Sequence, residues 1–136
     1  MRAPILAPIL PVIAALMAAT CAHAATVAPV LDAALPNAPG KKMTVITVSY
    51  APGEASGPHH HAASAFLYAR VLSGHIRSEV EGAGPARTYG PGEGWTEGPN
   101  AHHLMSTNAS ATEPATLLVV FVADDGAVLT TPDPRP

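Results

Sequence analysis

Hydrophobic and polar positions alternate along this chain in short runs, which predicts β-strands. Residues 43–51 (MTVITVSYA) are rich in β-branched side chains, which favour strands, and Pro52-Gly53 ends the run. Residues 65–72 (AFLYARVL) place alternate side chains on opposite faces. One face is small and apolar, with Leu67, Ala69 and Val71. The other is mixed, which indicates contact with another sheet or another subunit.

Four further strands are predicted between turns rich in glycine and proline. They cover residues 74–81, 86–89, 93–97 and 115–123. The last of these (ATLLVVFVA) is the most continuous apolar run, which predicts a central strand buried on both faces. After residue 24, no segment of ten or more residues shows helical spacing without a breaker. The chain is therefore predicted to be all-β, a sandwich or barrel.

Both ends of the chain are predicted to lie outside the folded domain. Residues 1–24 resemble a signal peptide, with Arg2, a mostly apolar run and the small-residue site Ala22-His23-Ala24. Prolines interrupt the apolar run, which argues against a membrane-spanning helix. We expect cleavage after Ala24 and a periplasmic or secreted protein. Residues 25–42 are predicted to be a lead-in segment, 43–126 the domain and 127–136 a flexible tail.

Charge and cysteine content limit the partners and ligands of the mature chain. The net charge of the full sequence is −3, and there is no basic run, so neither nucleic acid nor an anionic membrane is an expected partner. A small molecule is expected instead. The single cysteine, Cys21, would leave with the signal peptide, and residues 18–20 lack the bulky aliphatic residue typical of bacterial lipoproteins. Any metal site would then use nitrogen and oxygen ligands.

Five of the 7 histidines form two short clusters, His59-His60-His61 and His102-His103, about forty positions apart. Because residues i and i+2 of a strand point the same way, His59 and His61 are predicted to converge and His60 to point away. Two neutral imidazoles hold a metal weakly, so a third ligand is needed, and His103 is the candidate. The pattern predicts one divalent metal ion, with iron, manganese, zinc, nickel and copper all open.

These histidines belong to two spaced motifs. The first consists of Gly53, His59, His61 and Gly74, and the second of Gly92, His103 and Asn108. The pair resembles the two motifs of the cupin superfamily, and the resemblance covers residues 50–123. It implies a cupin-type jelly-roll β-barrel, also called a double-stranded β-helix, in a small single-domain protein.

The chain departs from the cupin pattern at one metal ligand. Cupins usually carry a glutamate shortly after the His-x-His pair, whereas positions 65–67 hold alanine, phenylalanine and leucine. The site is expected to contain three histidines with water, or three histidines with Glu97 as the replacement carboxylate. A buried carboxylate needs a metal, an arginine or a proton. Glu97 is therefore a candidate fourth ligand or proton shuttle, and the alternative is a surface carboxylate near a turn.

Three further residues are candidates for lining a pocket. Trp95 and Tyr68 are aromatic, and packing in the core or an interface is the alternative for both. His102 is expected to orient or line the pocket beside His103, or to face solvent. His75 stands alone and is expected at the surface.

The functional class stays open at this point. As the resemblance implies, the metal would bind an oxygen-bearing small molecule, and the protein would be a metal-dependent oxygenase or isomerase. The alternatives are a non-catalytic small-molecule or metal-binding module of the cell envelope, and a barrel that acts through its surface. A homodimer is expected, because the mixed face of residues 66–72 and the open sheet edges need covering.

Overall fold

The computed structural model describes residues 25–134, which form eleven β-strands and no helix. The predicted signal peptide, residues 1–24, lies outside the described residues. The strands are β1 (Thr26–Ala34), β2 (Lys41–Tyr50), β3 (Ala55–Ser56), β4 (His59–His61), β5 (Phe66–Ser73), β6 (Ile76–Val80), β7 (Arg87–Tyr89), β8 (Gly94–Glu97), β9 (His102–Asn108), β10 (Ala115–Asp124) and β11 (Thr130–Pro132). The predicted all-β class is confirmed. Within this part of the chain, no helix is long and apolar enough to cross a membrane.

The strands form two antiparallel sheets with crossover connections. One sheet has the order β1-β2-β10-β5-β8, and the other has the order β11-β4-β9-β6-β7 with β3 also paired to β9. Neighbouring strands are mostly distant in sequence, which is the arrangement of a jelly roll. Buried side chains of both sheets form one core, which includes Ile76 of the second sheet and Leu67 and Phe121 of the first.

The core follows the alternation that the sequence predicts. Leu67, Ala69 and Val71 of β5 are almost fully buried, and their neighbours in the strand are exposed. Strand β10 is central, since it pairs with both β2 and β5. Its burial nevertheless alternates between buried and half-buried positions, so the predicted burial on both faces is wrong for the outer face. The reason is that β10 meets the opposite sheet through one face only.

Two segments expected to lack regular structure contain strands. In the predicted lead-in, β1 pairs with β2 from Thr26 to Ala34, with a register shift after Pro29. In the predicted tail, β11 pairs with β4 through residues 130–132. Both are exposed strands, and β1 lies at a sheet edge. Edge strands tolerate proline and need no apolar alternation, so neither left a recognisable pattern in the sequence.

Gly74 connects β5 to β6 at a point of close backbone approach. Its φ is +70°, and an added Cβ would lie 2.5 Å from the carbonyl oxygen of Pro114 and 2.7 Å from Ala115. Glycine is therefore required there both for its backbone conformation and for its lack of a side chain.

Replacing Gly74 with alanine is expected to lower the free energy of unfolding by at least about 2 kcal/mol. The left-handed conformation costs an alanine roughly 1 to 2 kcal/mol, and the methyl group also overlaps main-chain atoms. Urea denaturation measures the change. Gly98→Ala is the control, because an added Cβ there meets no atom within 4 Å. Equal stability losses in the two variants would contradict this account.

Candidate metal centre

Pairing between β4 and β9 brings the two histidine clusters together. His59 lies directly opposite His103, and His60 lies opposite His102. Because cross-strand partners share a face and successive residues alternate, His59, His61 and His103 line the interior. His60 and His102 point to the outer face of the same sheet. The predicted convergence of three histidines is thus observed in the structure.

The three inner histidines are close enough to share one ion. Their candidate ligand nitrogens all lie within 4.8 Å of one another. The ring of His59 is 4.9 Å from that of His61 and 5.0 Å from that of His103, centroid to centroid. Nitrogens bound to one metal at about 2.1 Å lie roughly 3 to 4 Å apart. Small side-chain rotations would therefore bring all three onto one ion.

Backbone carbonyls orient two of these rings. Nδ1 of His59 lies 2.8 Å from the carbonyl oxygen of Gly57, and Nδ1 of His61 lies 3.1 Å from that of Leu129. A carbonyl oxygen only accepts hydrogen bonds, so each Nδ1 carries the proton. Nε2 of both rings is left with a free lone pair, as a metal ligand requires.

His103 is held between a hydroxyl group and a carboxylate. Its Nε2 lies 2.8 Å from Oγ of Ser78, and its Nδ1 lies 3.4 Å from Oε1 of Glu97. The hydroxyl group of Ser78 either accepts or donates this hydrogen bond. It therefore fixes the orientation of the ring without imposing one tautomer.

Glu97 is buried beside the histidines, so the surface alternative for this residue is wrong. It is 3% exposed, and its Oε1 accepts a hydrogen bond of 2.9 Å from Nε1 of Trp95. Its Oε2 lies 3.3 Å from Nε2 of His61 but makes no well-aligned hydrogen bond. An ionised oxygen in that position is costly without a cation or a proton. The residues present therefore fit a metal.

Glu97 lies next to the position where the first cupin motif usually has its glutamate. Counting back seven positions from Gly74, where cupins usually carry that glutamate, leads to Leu67. Leu67 and Glu97 are directly opposite each other across the β5–β8 pair. Cβ atoms of such partners are about 5 Å apart. Glu97 thus places a carboxylate next to the usual position, from the neighbouring strand.

Burial and hydrogen bonding set the protonation of the site. Burial lowers the pKa of His103 to about 4, and burial also lowers the pKa of His59. For Glu97, burial acts to raise the pKa, but the adjacent His61 ring, the charge that His103 acquires in acid and the Trp95 hydrogen bond together hold it below its usual value. At neutral pH, His59 and His103 are neutral and Glu97 is ionised. Metal ligands require these forms.

A small cavity of about 130 Å³ adjoins the three histidines and Glu97. Its apolar wall comes from the five-stranded sheet and includes Ile46, Val48, Leu67, Leu117, Val119 and Phe121, and the three histidines lie on the other sheet. A protein cavity of about 150 Å³ is large enough for benzene. The site therefore combines a polar end with an apolar chamber for a small molecule.

The three pocket candidates are placed differently. Trp95 lines the cavity, and its ring centroid lies 6.1 Å from that of His103. Tyr68 does not line it: it is 36% exposed on the outer face of β5, because its neighbours Leu67 and Ala69 take the inward positions. His102 does not line it either, because it alternates with His103 and faces outward. The predictions for Tyr68 and His102 are corrected accordingly.

Three supporting residues escaped sequence reasoning. Ser78 gives no signal beyond an inward position in a strand, and many serines occupy such positions. Leu129 and Asp133 lie in the segment expected to be a flexible tail, yet Leu129 contacts His61 and Asp133 contacts His102. The pairing of β11 with β4 could have revealed them, but three exposed residues make too short a pattern to recognise.

Comparison with known proteins identifies the family. The family model described as "Cupin domain" matches residues 46–121, more than half of the chain. The protein is a member of the cupin family. No curated protein matches its sequence.

Solved structures share this cupin fold at low sequence identity. A protein with a double-stranded β-helix domain from Klebsiella pneumoniae is 19% identical, with a TM-score of 0.61 over 79% of this chain and 85% of that one. A Cupin 2 conserved barrel domain protein from Salinispora arenicola is 20% identical, with a TM-score of 0.53 over 71% and 74%. Oxalate oxidase in complex with glycolate is 23% identical, with a TM-score of 0.54 over 64% of this chain and 45% of that one. These likenesses establish the fold alone.

Acidification is expected to destabilise the metal-free protein. The unfolded chain protonates His103 near pH 6.5, whereas the folded protein does so near 4, so between these values the unfolded state binds more protons. The contribution of His103 to stability is complete above pH 6.5 and is lost towards pH 4, on the order of 3 kcal/mol.

Urea denaturation in the presence of a chelator, at several pH values, measures this loss. His103→Gln, which retains a hydrogen-bonding group near Ser78, should show a flatter dependence of stability on pH. The same slope in the variant and in the parent would contradict the assignment to His103.

Proposed function

We propose that this cupin holds one divalent metal ion between His59, His61 and His103 and binds a small molecule beside it. The observation that carries the proposal is the convergence of three inward-facing imidazoles at one wall of an apolar cavity. When bound, such an ion is a Lewis acid that polarises an oxygen of the ligand. The nitrogen and carboxylate ligands suit iron, manganese, zinc, nickel or copper.

Glu97 is the proposed fourth ligand or proton acceptor of this site. Its Oε2 is buried, has no well-aligned hydrogen bond and lies 3.3 Å from Nε2 of His61. Its Oε1 accepts the hydrogen bond from Trp95, so Oε2 remains available to bind the metal or to accept a proton. The carboxylate is ionised, so it can take a proton from a ligand bound in the cavity.

The chemistry of the cavity limits the class of ligand. The cavity volume of about 130 Å³ suits a molecule of roughly six non-hydrogen atoms. An oxygen of that molecule would face the histidines and Glu97, and its remaining atoms would contact the aliphatic and aromatic walls. The proposed ligand is thus a small oxygen-bearing organic molecule with an apolar portion.

The proposed reaction is metal-dependent oxygenation or isomerisation of such a molecule. Catalysis is favoured because Glu97 places a proton acceptor beside the proposed metal ion. The alternative is a non-catalytic binding module. Of the described residues that line the cavity, Glu97 is the only carboxylate, so no second acid is available to pair with it. A bound ligand recovered unchanged after incubation with the metal-loaded protein would favour binding alone. The cupin fold does not decide between them.

Export and self-association are also proposed. Residues 1–24 have the composition of a signal peptide, which supports a periplasmic or secreted location. Homodimerisation remains a prediction. Support comes from the outer face of β5, where Phe66 is 51% exposed and Leu72 is 48% exposed.

Removing an inner histidine is expected to remove one equivalent of bound metal. Tag-free protein is loaded in turn with each of the five metals, and metal content is measured by mass spectrometry after gel filtration. His59→Ala and His103→Ala should each lose one equivalent, because two imidazoles hold an ion weakly. His75→Ala is the control, since His75 is exposed and lies outside the site. Unchanged metal content in both inner-site variants would rule the site out.

Neutralising Glu97 is expected to weaken metal binding about 10- to 100-fold. Glutamine keeps an acceptor for the Trp95 hydrogen bond but removes the negative charge next to His61 and His103. Competition with a coloured chelator measures the affinity of the parent and of Glu97→Gln. Equal affinities would show that the carboxylate neither binds nor supports the ion.

A further inference from the structure

A second group of metal-binding side chains lies on the outer face of the six-stranded sheet. It consists of His60 of β4, His102 of β9 and Asp133, the residue after β11, and we call it the outer cluster. One ligand atom from each of the three lies within 4.8 Å of those from the other two. The outer cluster is built from the residues that alternate with the inner histidines, and the proposed inner site uses none of them.

Strand pairing holds the two outer imidazoles side by side. His60 and His102 are direct cross-strand partners, and their rings are stacked 4.0 Å apart at an angle of 10°. Their Nε2 atoms share the carboxylate of Asp133, at 3.8 Å from Oδ1 for His60 and 2.9 Å from Oδ2 for His102. One carboxylate therefore already joins the two rings, and rotation of a ring out of the parallel stack would direct both Nε2 lone pairs at one ion.

An ion pair between His102 and Asp133 satisfies only one of the two carboxylate oxygens of Asp133. Oδ2 of Asp133 is paired with His102, but Oδ1 is buried and has no hydrogen-bond partner among the described residues. Leaving a carboxylate oxygen buried and unsatisfied is costly. A cation between Oδ1 and Nε2 of His60 would remove that cost. On the opposite edge of the His102 ring, Oε2 of Glu81 lies 3.4 Å from Nδ1 and can accept its proton.

We propose that the outer cluster is a second metal site, which takes a borderline divalent ion such as Zn²⁺. His60, His102 and Asp133 are the ligands, water completes a coordination of four, and Glu81 orients the His102 ring from its other edge. To bind the ion through Nε2, His102 carries one proton on Nδ1, towards Glu81, and a second proton, where the ring holds one, is released to solvent.

The outer ion would clamp the C-terminal strand onto the sheet. Strand β11 pairs with β4 through three residues, and the amide of Asp133 donates to the carbonyl oxygen of Pro58. The same segment supports the inner site, because the carbonyl of Leu129 orients His61 and Thr130 lines the cavity. A metal ion bound at the outer cluster would therefore also hold the Leu129 carbonyl that orients His61.

Zinc content and hydrogen exchange together test the proposal on the tag-free protein. Three proteins are compared, the parent, His60→Gln and the control His75→Gln. His60→Gln removes one ligand but leaves the 2.9 Å pair of His102 with Asp133 intact, and the side chain of His60 is 46% exposed, so folding should not suffer. The parent and the control should each hold one more zinc than His60→Gln.

Amide exchange in residues 127–134 should report the clamp. At a zinc concentration ten times the dissociation constant, local opening of this segment should slow about tenfold in the parent and in His75→Gln. In His60→Gln, zinc should slow the exchange much less, because only the inner site can then bind it. Equal zinc content and equal exchange in all three proteins would overturn the proposal and leave a metal-free ion pair.

A variant of the inner site separates this proposal from the proposed function. His59→Ala should lose the inner equivalent of zinc and keep the zinc-dependent slowing in residues 127–134. If the inner site does not exist, the parent should still bind one zinc, which His60→Gln loses. Loss of the zinc-dependent slowing in His59→Ala would assign the effect to the inner site and overturn the outer one.

Discussion

The antiparallel pairing of β4 with β9 is the constraint on which both histidine clusters depend. It sets His59 opposite His103 and His60 opposite His102. Because side chains alternate across a sheet, this register sends three imidazoles inward and two outward. A slip of one residue would exchange the two faces and place the wrong histidines in the cavity. The pairing therefore decides which imidazoles meet inside the barrel.

The inward-facing histidines lie beside a buried negative charge, the carboxylate of Glu97. Glu97 is buried among apolar side chains, with one hydrogen bond from Trp95 and two imidazoles as its polar neighbours. A carboxylate so placed is favourable only if hydrogen bonds or a cation replace its lost hydration. The protein thus has a carboxylate next to the histidines, although Leu67 stands where the first cupin motif usually has its glutamate.

The C-terminal segment links the inside of the barrel to its outside. Leu129 and Thr130 contact the cavity side, whereas Asp133 joins His60 and His102 on the outer face. A strand of three residues has few hydrogen bonds of its own, so side-chain contacts must contribute much of what holds it in place. Order in this segment and order at His61 are therefore physically connected.

Local patterns in the sequence determined the all-β class, most strands, the two spaced motifs and the convergence of His59 with His61, because alternation along a strand needs no knowledge of its partner. Tertiary structure alone decided what depends on pairing between distant segments: the burial of Glu97 opposite Leu67, the outward positions of Tyr68 and His102, and the role of β11. Exposed edge strands leave no hydrophobic signature, and cross-strand neighbours can be far apart in the chain, so only the folded sheets reveal them.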